Sequence, residues 1–273
     1  MVQTFIAADE VKRQAAAHGG VIDFALSLLD TAASCAVAPV SQFYVGAVAV
    51  DADGNFYLGA NQECAAAAMA QTVHAEQSAV SHAWHRGASV LTDIVVNYTP
   101  CGHCRQFLNE LRGAENLRIH LPHSRDNLLH SYLPDSFGPA DLQMPKRLLD
   151  EQQHALHWLN AADAEDALFQ AACAAAAQSH APYTRAYAGV ALQLVDGSTV
   201  CGRYAENAAY NPTLPPLQSA VNLLRVQGGT VADVTAAALV CTEHGGHEAH
   251  TRALWAVCSD APLRVAYVRA EAE

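Results

Sequence analysis

His74-Ala75-Glu76 and Pro100-Cys101-Gly102-His103-Cys104 supply, within a short span of chain, an imidazole, a carboxylate and two thiols. One imidazole and two thiolates are a natural three-ligand set for zinc, and three protein ligands leave the fourth tetrahedral position open to water. An open position points to catalysis rather than scaffolding. Glu76, two residues from His74, can stay off the metal and move protons to and from that water. The expectation is one zinc per chain on His74, Cys101 and Cys104, with Glu76 as general base and then acid. Taken alone, Cys101-x-x-Cys104 would also suit a redox pair or half of a structural zinc site. His-x-Glu nearby and Pro100 before the first cysteine favour the catalytic reading. His103, inside the pair, reads as a support for the loop.

The segments flanking these residues must deliver them to one point. Apolar positions at helical spacing predict a helix through residues 1–36 that Pro39 helps to stop. Phe43 to Val50 reads as a strand, Asp51 to Asn55 as a turn and Phe56-Tyr57-Leu58 as the return strand of a hairpin. From His74 the pattern turns helical, which sets His74 and Glu76 in a first helical turn. The strand Ile94 to Tyr98 runs into Thr99-Pro100-Cys101, and Cys104 to Leu111 is again helical. Two strand-to-helix junctions thereby bring two helix starts, with their positive dipole ends, to the same site. Leu117 to Leu121 is a further strand, residues 140–165 read as a linker with some helix, and Asp163 to Ala177 as a helix.

The order then repeats. Ala38-Pro39 to Ala47 has a counterpart in Ala181-Pro182 to Val190, and His74-Ala75-Glu76-Gln77-Ser78-Ala79-Val80 has one in Pro215-Pro216-Leu217-Gln218-Ser219-Ala220-Val221. The same fold is expected twice. In the second copy Pro215 stands for the histidine and Leu217 for the carboxylate, and Val240 to Gly246 contains no Pro-Cys-x-x-Cys, so only the first copy keeps the chemistry.

Composition bounds the partners. The 273 residues suit roughly two domains. With 51% hydrophobic and 15% charged residues, apolar surface is expected to be covered by oligomerisation. A net charge of −12 argues against a protein that works by neutralising phosphates, so no nucleic-acid partner is expected. Met1-Val2-Gln3-Thr4 lacks a basic leader, and no apolar run approaches the roughly 20 residues that span a bilayer, so no membrane association and a cytoplasmic location are expected. Cys35, Cys64, Cys173, Cys201, Cys241 and Cys258 lie in apolar surroundings and read as buried free thiols. His244, His247 and His250 form a local cluster that reads as solvated loop.

H-x-E with P-C-x-x-C is the pattern by which zinc deaminases are known. On Phe43 to Gly46, Asn61-Gln62-Glu63, Thr72 to Ala79, Asn97 to Phe107 and Ala205 to Pro216, the sequence resembles the cytidine deaminase family, in its long, two-repeat bacterial form. The resemblance implies an α/β architecture, a three-layer α-β-α fold present twice behind a short N-terminal helical segment. It divides the chain into a helical extension (1–20), a catalytic domain (21–150) and a degenerate domain (151–273). It implies hydrolysis of cytidine and 2′-deoxycytidine to the uridines with release of ammonia, as in pyrimidine salvage. Asn61 and Glu63 take positions that in the family bind the ribose 3′-hydroxyl, and Phe43 one that packs on the pyrimidine. Backbone near Ala75 and Thr99 would read the base edge, while Tyr98 and Phe137 match aromatics lining the site. Ala209 and Tyr210 match a segment that enters the partner subunit's site in a homodimer. Read as residues alone, Asn61 and Glu63 could instead cap a turn, and Phe43 could be plain core. A deaminase acting within RNA or DNA shares the signature but needs a basic, aromatic surface. A non-catalytic, zinc-stabilised nucleoside-binding protein is the other alternative.

Overall fold

A computed structural model describes residues 2–271; Met1 and Ala272–Glu273, at the ends of the first and last expected segments, lie outside the described residues. The chain forms two compact units: residues up to Asp150 together with Asn207–Pro212, and Glu151–Glu206 together with the chain from Thr213. The six-residue strap Asn207–Pro212, expected with the second half, thus folds with the first.

The first unit begins with β1 (Phe5–Ile6), α1 (Ala8–His18), α2 (Val21–Ser27) and α3 (Leu29–Ala33). The single N-terminal helix expected from periodicity is therefore broken twice and ends well before Pro39. Gly19 closes α1 in the left-handed region at φ 88°, where a residue without Cβ is at ease, and Gly20 at φ 139° starts α2. β1 joins the sheet edge against Phe56–Tyr57, so the segment set apart as residues 1–20 is stitched into the first sheet. Phe24, Leu29, Val48, Phe56, Leu58 and Val95 form the core on this side.

β2 (Gly46–Asp51) and β3 (Phe56–Ala60) make the expected hairpin, and β4 (Leu91–Val96) lies on the other side of β2. β2 starts later than the apolar run: Phe43 to Val45 are held off the sheet because the Asn61 amide accepts from Val45 N (2.9 Å) and donates to Phe43 O (2.8 Å). α4 (Ala75–His85) and α5 (Gly102–Leu108) follow β3 and β4, with His74 and Cys101 as their N-cap residues. α5 ends before Leu111, and β4 ends before Asn97. β5 (Arg118–Leu121) runs parallel to β4; β6 (Ser124–Leu128), unforeseen in a polar stretch, pairs antiparallel with it, and α6 (Leu129–Tyr132) follows. The sheet order is β1-β3-β2-β4-β5-β6.

Two glycines define the layers. A Cβ on Gly46 would meet the backbone of Leu29 and Ala33 in α3, and one on Gly59 the backbone of Ala75 and Ala79 in α4. Gly59 pairs with Ala47, the neighbour of Gly46, so the two glycines face opposite sides of the sheet and the helices sandwich it.

The second unit holds β7 (Leu156–Trp158), α7 (Ala167–Ala177), β8 (Ala188–Leu194), β9 (Thr199–Arg203), α8 (Pro216–Val226), β10 (Val234–Thr242), α9 (His247–Cys258) and β11 (Leu263–Ala270). Within its order, β7-β11-β10-β8-β9, the run β11-β10-β8-β9 reproduces β5-β4-β2-β3 of the first sheet, down to the parallel pair β10/β11, which matches β4/β5. Gly189 and Gly202 meet the backbones of α7 and α8 as Gly46 and Gly59 meet α3 and α4. β7 lies where a linker was expected, too short to show a period. Asp166, accepting from the N–H groups of Leu168 and Phe169, starts α7 after a 3₁₀ turn over Ala161–Glu165, later than the sequence suggested. Both units are thus three-layer α/β folds of one design.

The thiols differ from expectation. None of the eight cysteines is in a disulfide, but of the six outside the Cys-x-x-Cys pair only Cys241 is buried; the others are partly exposed. His247 is no solvated loop residue either: it opens α9, buried, with Nε2 2.8 Å from Ala186 O. Among the described residues no helix is long and apolar enough to cross a membrane.

Candidate active site

His74 enters the site because, after a 3₁₀ turn over Met69–Gln71, the backbone becomes extended at Thr72 and ends at the start of α4, where His74 is the N-cap and Glu76 lies in the first turn. Gln77 closes a capping box, its Oε1 accepting from His74 N at 3.3 Å. On the other junction, Arg105 pins the turn before α5 by donating through Nε to Pro100 O (2.7 Å) and through Nη1 to Tyr132 O (2.9 Å). These two hydrogen-bonded junctions bring three ligand atoms together. His74 Nδ1 lies 3.5 Å from Cys101 Sγ and 3.4 Å from Cys104 Sγ, and the sulfurs are 3.8 Å apart.

That triangle can be tested against a metal. A tetrahedral zinc with bonds of about 2.3 Å to sulfur and about 2.0 Å to nitrogen holds its sulfurs roughly 3.7 Å apart and each sulfur roughly 3.5 Å from the nitrogen. The three side chains fit zinc in atom type and in spacing. Among the described residues they are the single group of three or more His, Cys, Asp or Glu side chains converging this way. Hydrogen bonding with Cys104 and with His74 pushes the Cys101 thiol down to about 3, so the pair carries a thiolate ready for a cation. His103 stacks on His74, ring centroids 4.8 Å apart, and holds the ligand ring's plane.

Glu76 is buried beside the triangle, and desolvation raises its carboxyl above the usual range, with the negative charge at Cys101 acting the same way. A carboxyl raised toward neutrality can hold and return a proton, as acid–base work requires.

A cavity of ≈ 390 Å³ opens onto these groups. Of the residues singled out in the sequence, Phe43, Asn61, Glu63, His74, Ala75, Glu76, Tyr98, Thr99 and Cys101 line it; Cys104 sits buried behind, and Phe137, Ala209 and Tyr210 lie outside its lining. Ser41, Val45, Met69 and Thr72 also line it, and none of them is assigned a site role from the sequence. Phe43 is no core residue: it is 49% exposed at the mouth, 4.7 Å from the Tyr98 ring.

Asn61 and Glu63 hold the loop that carries Phe43. Glu63 Oε2 accepts from Val40 N (3.0 Å) and Ser41 N (3.1 Å), and Oε1 from the Ser41 hydroxyl. Although burial opposes its charge, these donors lower its carboxyl below the ordinary value. The second unit repeats this clamp without a metal site: Glu206 accepts from Tyr183 N, Thr184 N and Thr184 Oγ1. There the N-cap of α8 is Pro215, and Leu217, fully buried, takes the place of Glu76. The turn-holding role of the pair is thus present in the fold alongside its place in the cavity wall.

A zinc triangle at two helix starts, a buried carboxyl and a cavity with an aromatic mouth define a hydrolytic zinc site. Comparison with known proteins gives the same class. The family described as "Cytidine and deoxycytidylate deaminase zinc-binding region" matches twice, over residues 22–120 and 129–253. The cytidine deaminase of Histophilus somni (strain 2336) is 57% identical over 218 residues, which cover 80% of this chain and 71% of that one. That of Mannheimia succiniciproducens is 56% identical over 222 residues, 81% of this chain and 73% of that one. A solved cytidine deaminase from Mycobacterium tuberculosis is 33% identical over 42% of this chain and 96% of its own, with a TM-score of 0.39. The chain belongs to the cytidine deaminase family, and it is a zinc-dependent hydrolytic deaminase.

Proposed function

We propose that this protein deaminates cytidine and 2′-deoxycytidine to uridine and 2′-deoxyuridine with release of ammonia, as a cytoplasmic step of pyrimidine salvage. The observation that carries this reading is the buried Glu76 beside the His74, Cys101 and Cys104 triangle, on the wall of a cavity of nucleoside-like dimensions, ≈ 390 Å³. Relatives more than half identical are named cytidine deaminases, which supports the substrate.

When bound, zinc supplies activation of a water molecule for attack near neutral pH. Glu76 takes a proton from the attacking water and delivers it to N3 of the pyrimidine, which makes C4 electrophilic. As the C4–O bond forms, the same carboxyl relays a proton to the amino nitrogen, the C4–N bond breaks and ammonia leaves. Phe43 and Tyr98 provide faces on which the base lies. Backbone at Ala75 and Thr99 reads its edge. The ribose meets Asn61 and Glu63, whose carboxylate already accepts from Val40 N, Ser41 N and the Ser41 hydroxyl and keeps one lone pair, on Oε1, to accept a sugar hydroxyl.

The active form in this reading is a homodimer in which Ala209 and Tyr210 reach the partner's cavity. In support, Tyr210 is 59% exposed and held at φ 58°, a costly backbone for a tyrosine, and lines none of its own chain's cavity. Eight cysteines without a disulfide suit a reducing compartment, and the net charge of −12 suits a small nucleoside better than a polynucleotide.

The test is ultraviolet detection of cytidine loss with metal analysis of the same sample. Glu76→Gln should lower turnover by at least about a hundredfold while zinc stays near one per chain. Deamination of a polynucleotide exceeding that of free cytidine would favour the nucleic-acid reading, and unchanged turnover in Glu76→Gln would remove the role of the carboxyl.

A further inference from the structure

Asn207–Pro212 lies within the second repeat's sequence but folds with the catalytic unit, and its hydrogen bonds go to the two helices that carry the zinc triangle. On α5, Asn207 Nδ2 donates to Gln106 O (3.0 Å), and Gln106 Nε2 returns a bond to Asn207 Oδ1 (3.4 Å). One turn on, the fully buried Glu110 accepts from Ala208 N through Oε2 (3.0 Å). On α4, Gln77 Nε2 donates to Pro212 O (3.1 Å), and the oxygen of that same amide accepts from His74 N. The strap therefore reaches Gln106, two residues beyond Cys104, and through one side-chain amide reaches the backbone of His74.

His74 arrives on one helix and the cysteines on another, so the nitrogen-to-sulfur separations of 3.5 and 3.4 Å depend on the spacing of α4 and α5. Covalent structure fixes that spacing only through the long run of chain between the helices. A segment hydrogen-bonded to both fixes it directly, and the positions of supporting groups commonly tune metal affinity by 10- to 100-fold.

We propose that the Asn207–Pro212 strap is the positioning element of the zinc site, with Asn207, Glu110 and Gln77 as positioning residues that set the distance between α4 and α5. None of the three touches the reacting atoms in this assignment. It rests on His74, Cys101 and Cys104 being the zinc ligands.

The test uses the full chain carrying Asn207→Ala, Asn207→Asp, which keeps the acceptor for Gln106 and Ala209, or Gln77→Met. Three quantities are read: the rate of zinc transfer to a chromogenic chelator, the visible d–d spectrum of the cobalt-substituted protein, and kcat and KM for cytidine. Phe24→Leu, on the buried face of α2, serves as a control matched for lost thermal stability. Loss of one buried hydrogen bond corresponds to roughly a tenfold change, so Asn207→Ala and Gln77→Met should release zinc about tenfold faster. They should also shift the cobalt spectrum and lower kcat more than they raise KM, with Asn207→Asp intermediate and Phe24→Leu like wild type. Unchanged zinc release and cobalt spectra in the strap variants, or equal changes in Phe24→Leu, would overturn the proposal and leave the strap as packing. A wild-type protein that holds no zinc would instead overturn the ligand assignment.

Discussion

Gln77 and Gln218 occupy the same third position of matching helices, yet only Gln77 finds a partner for its side-chain oxygen. Gln77 Oε1 accepts from His74 N, whereas the residue before α8 is Pro215, which has no N–H, and the buried Gln218 Oε1 is without a partner among the described residues. The amide stands here without a histidine to serve. Gln218→Met should therefore cost less than about 1 kcal/mol, because it removes an unsatisfied oxygen, while Gln77→Met should cost roughly 1–3 kcal/mol. Urea unfolding of the two variants checks the contrast, and equal losses would contradict it.

Removal of the metal should remove the activity. Dialysis against a strong chelator is expected to abolish turnover in step with zinc loss, with recovery on addition of one equivalent. Cys104→Ala, which deletes the buried ligand, should release zinc while far-ultraviolet circular dichroism stays native. Turnover in fully zinc-free protein would refute this.

The ring of Phe43 stands at the cavity mouth, half exposed, so its loss should affect substrate more than fold. Phe43→Ala is expected to raise KM for cytidine about tenfold, the equivalent of about 1.4 kcal/mol, with the melting temperature nearly unchanged. A drop in melting temperature without a change in KM would assign the ring to the core after all.

Acid should destabilise the first unit through His82. Burial pushes its imidazole down to about 4; Nδ1 lies 3.0 Å from Leu58 O, and Arg86 Nε–H donates to Nε2, which fixes the neutral ring. In the unfolded chain the ring titrates near its ordinary 6.5. Between those values the unfolded state binds the extra proton, so stability is full above about 6.5 and falls as pH drops toward 4, by about 3 kcal/mol in total. His82→Asn, which can keep the donor to Leu58 and does not titrate, should show a correspondingly flatter fall in unfolding free energy from pH 7 to pH 4.5. Parallel curves would exclude His82 as the source.

His74, Glu76, Cys101 and Cys104 were legible because metal and proton chemistry admit few residue types and the spacing ties them to two helix starts. The repeat was legible for a related reason: Gly46 and Gly189, and Gly59 and Gly202, sit where helix backbones leave no room for a Cβ, so both copies keep the same landmarks. Periodicity failed where the deciding contact is distant. The Asn61 amide keeps Phe43 to Val45 off the sheet from across the hairpin, and the three residues of β7 make sense only beside β11. Ser41 and Met69 reach the cavity through the course of loops, which no local pattern encodes. The grouping of Asn207–Pro212 with the first unit is the extreme case, since the chain on either side of it, Glu151–Glu206 and the run from Thr213, follows the second repeat.

That grouping has a genetic consequence. The stretch encoding the strap lies inside the copy that lost its chemistry, so deleting the silent repeat would also remove part of the working one. A gene trimmed to its metal-binding half would encode the first unit without these six residues.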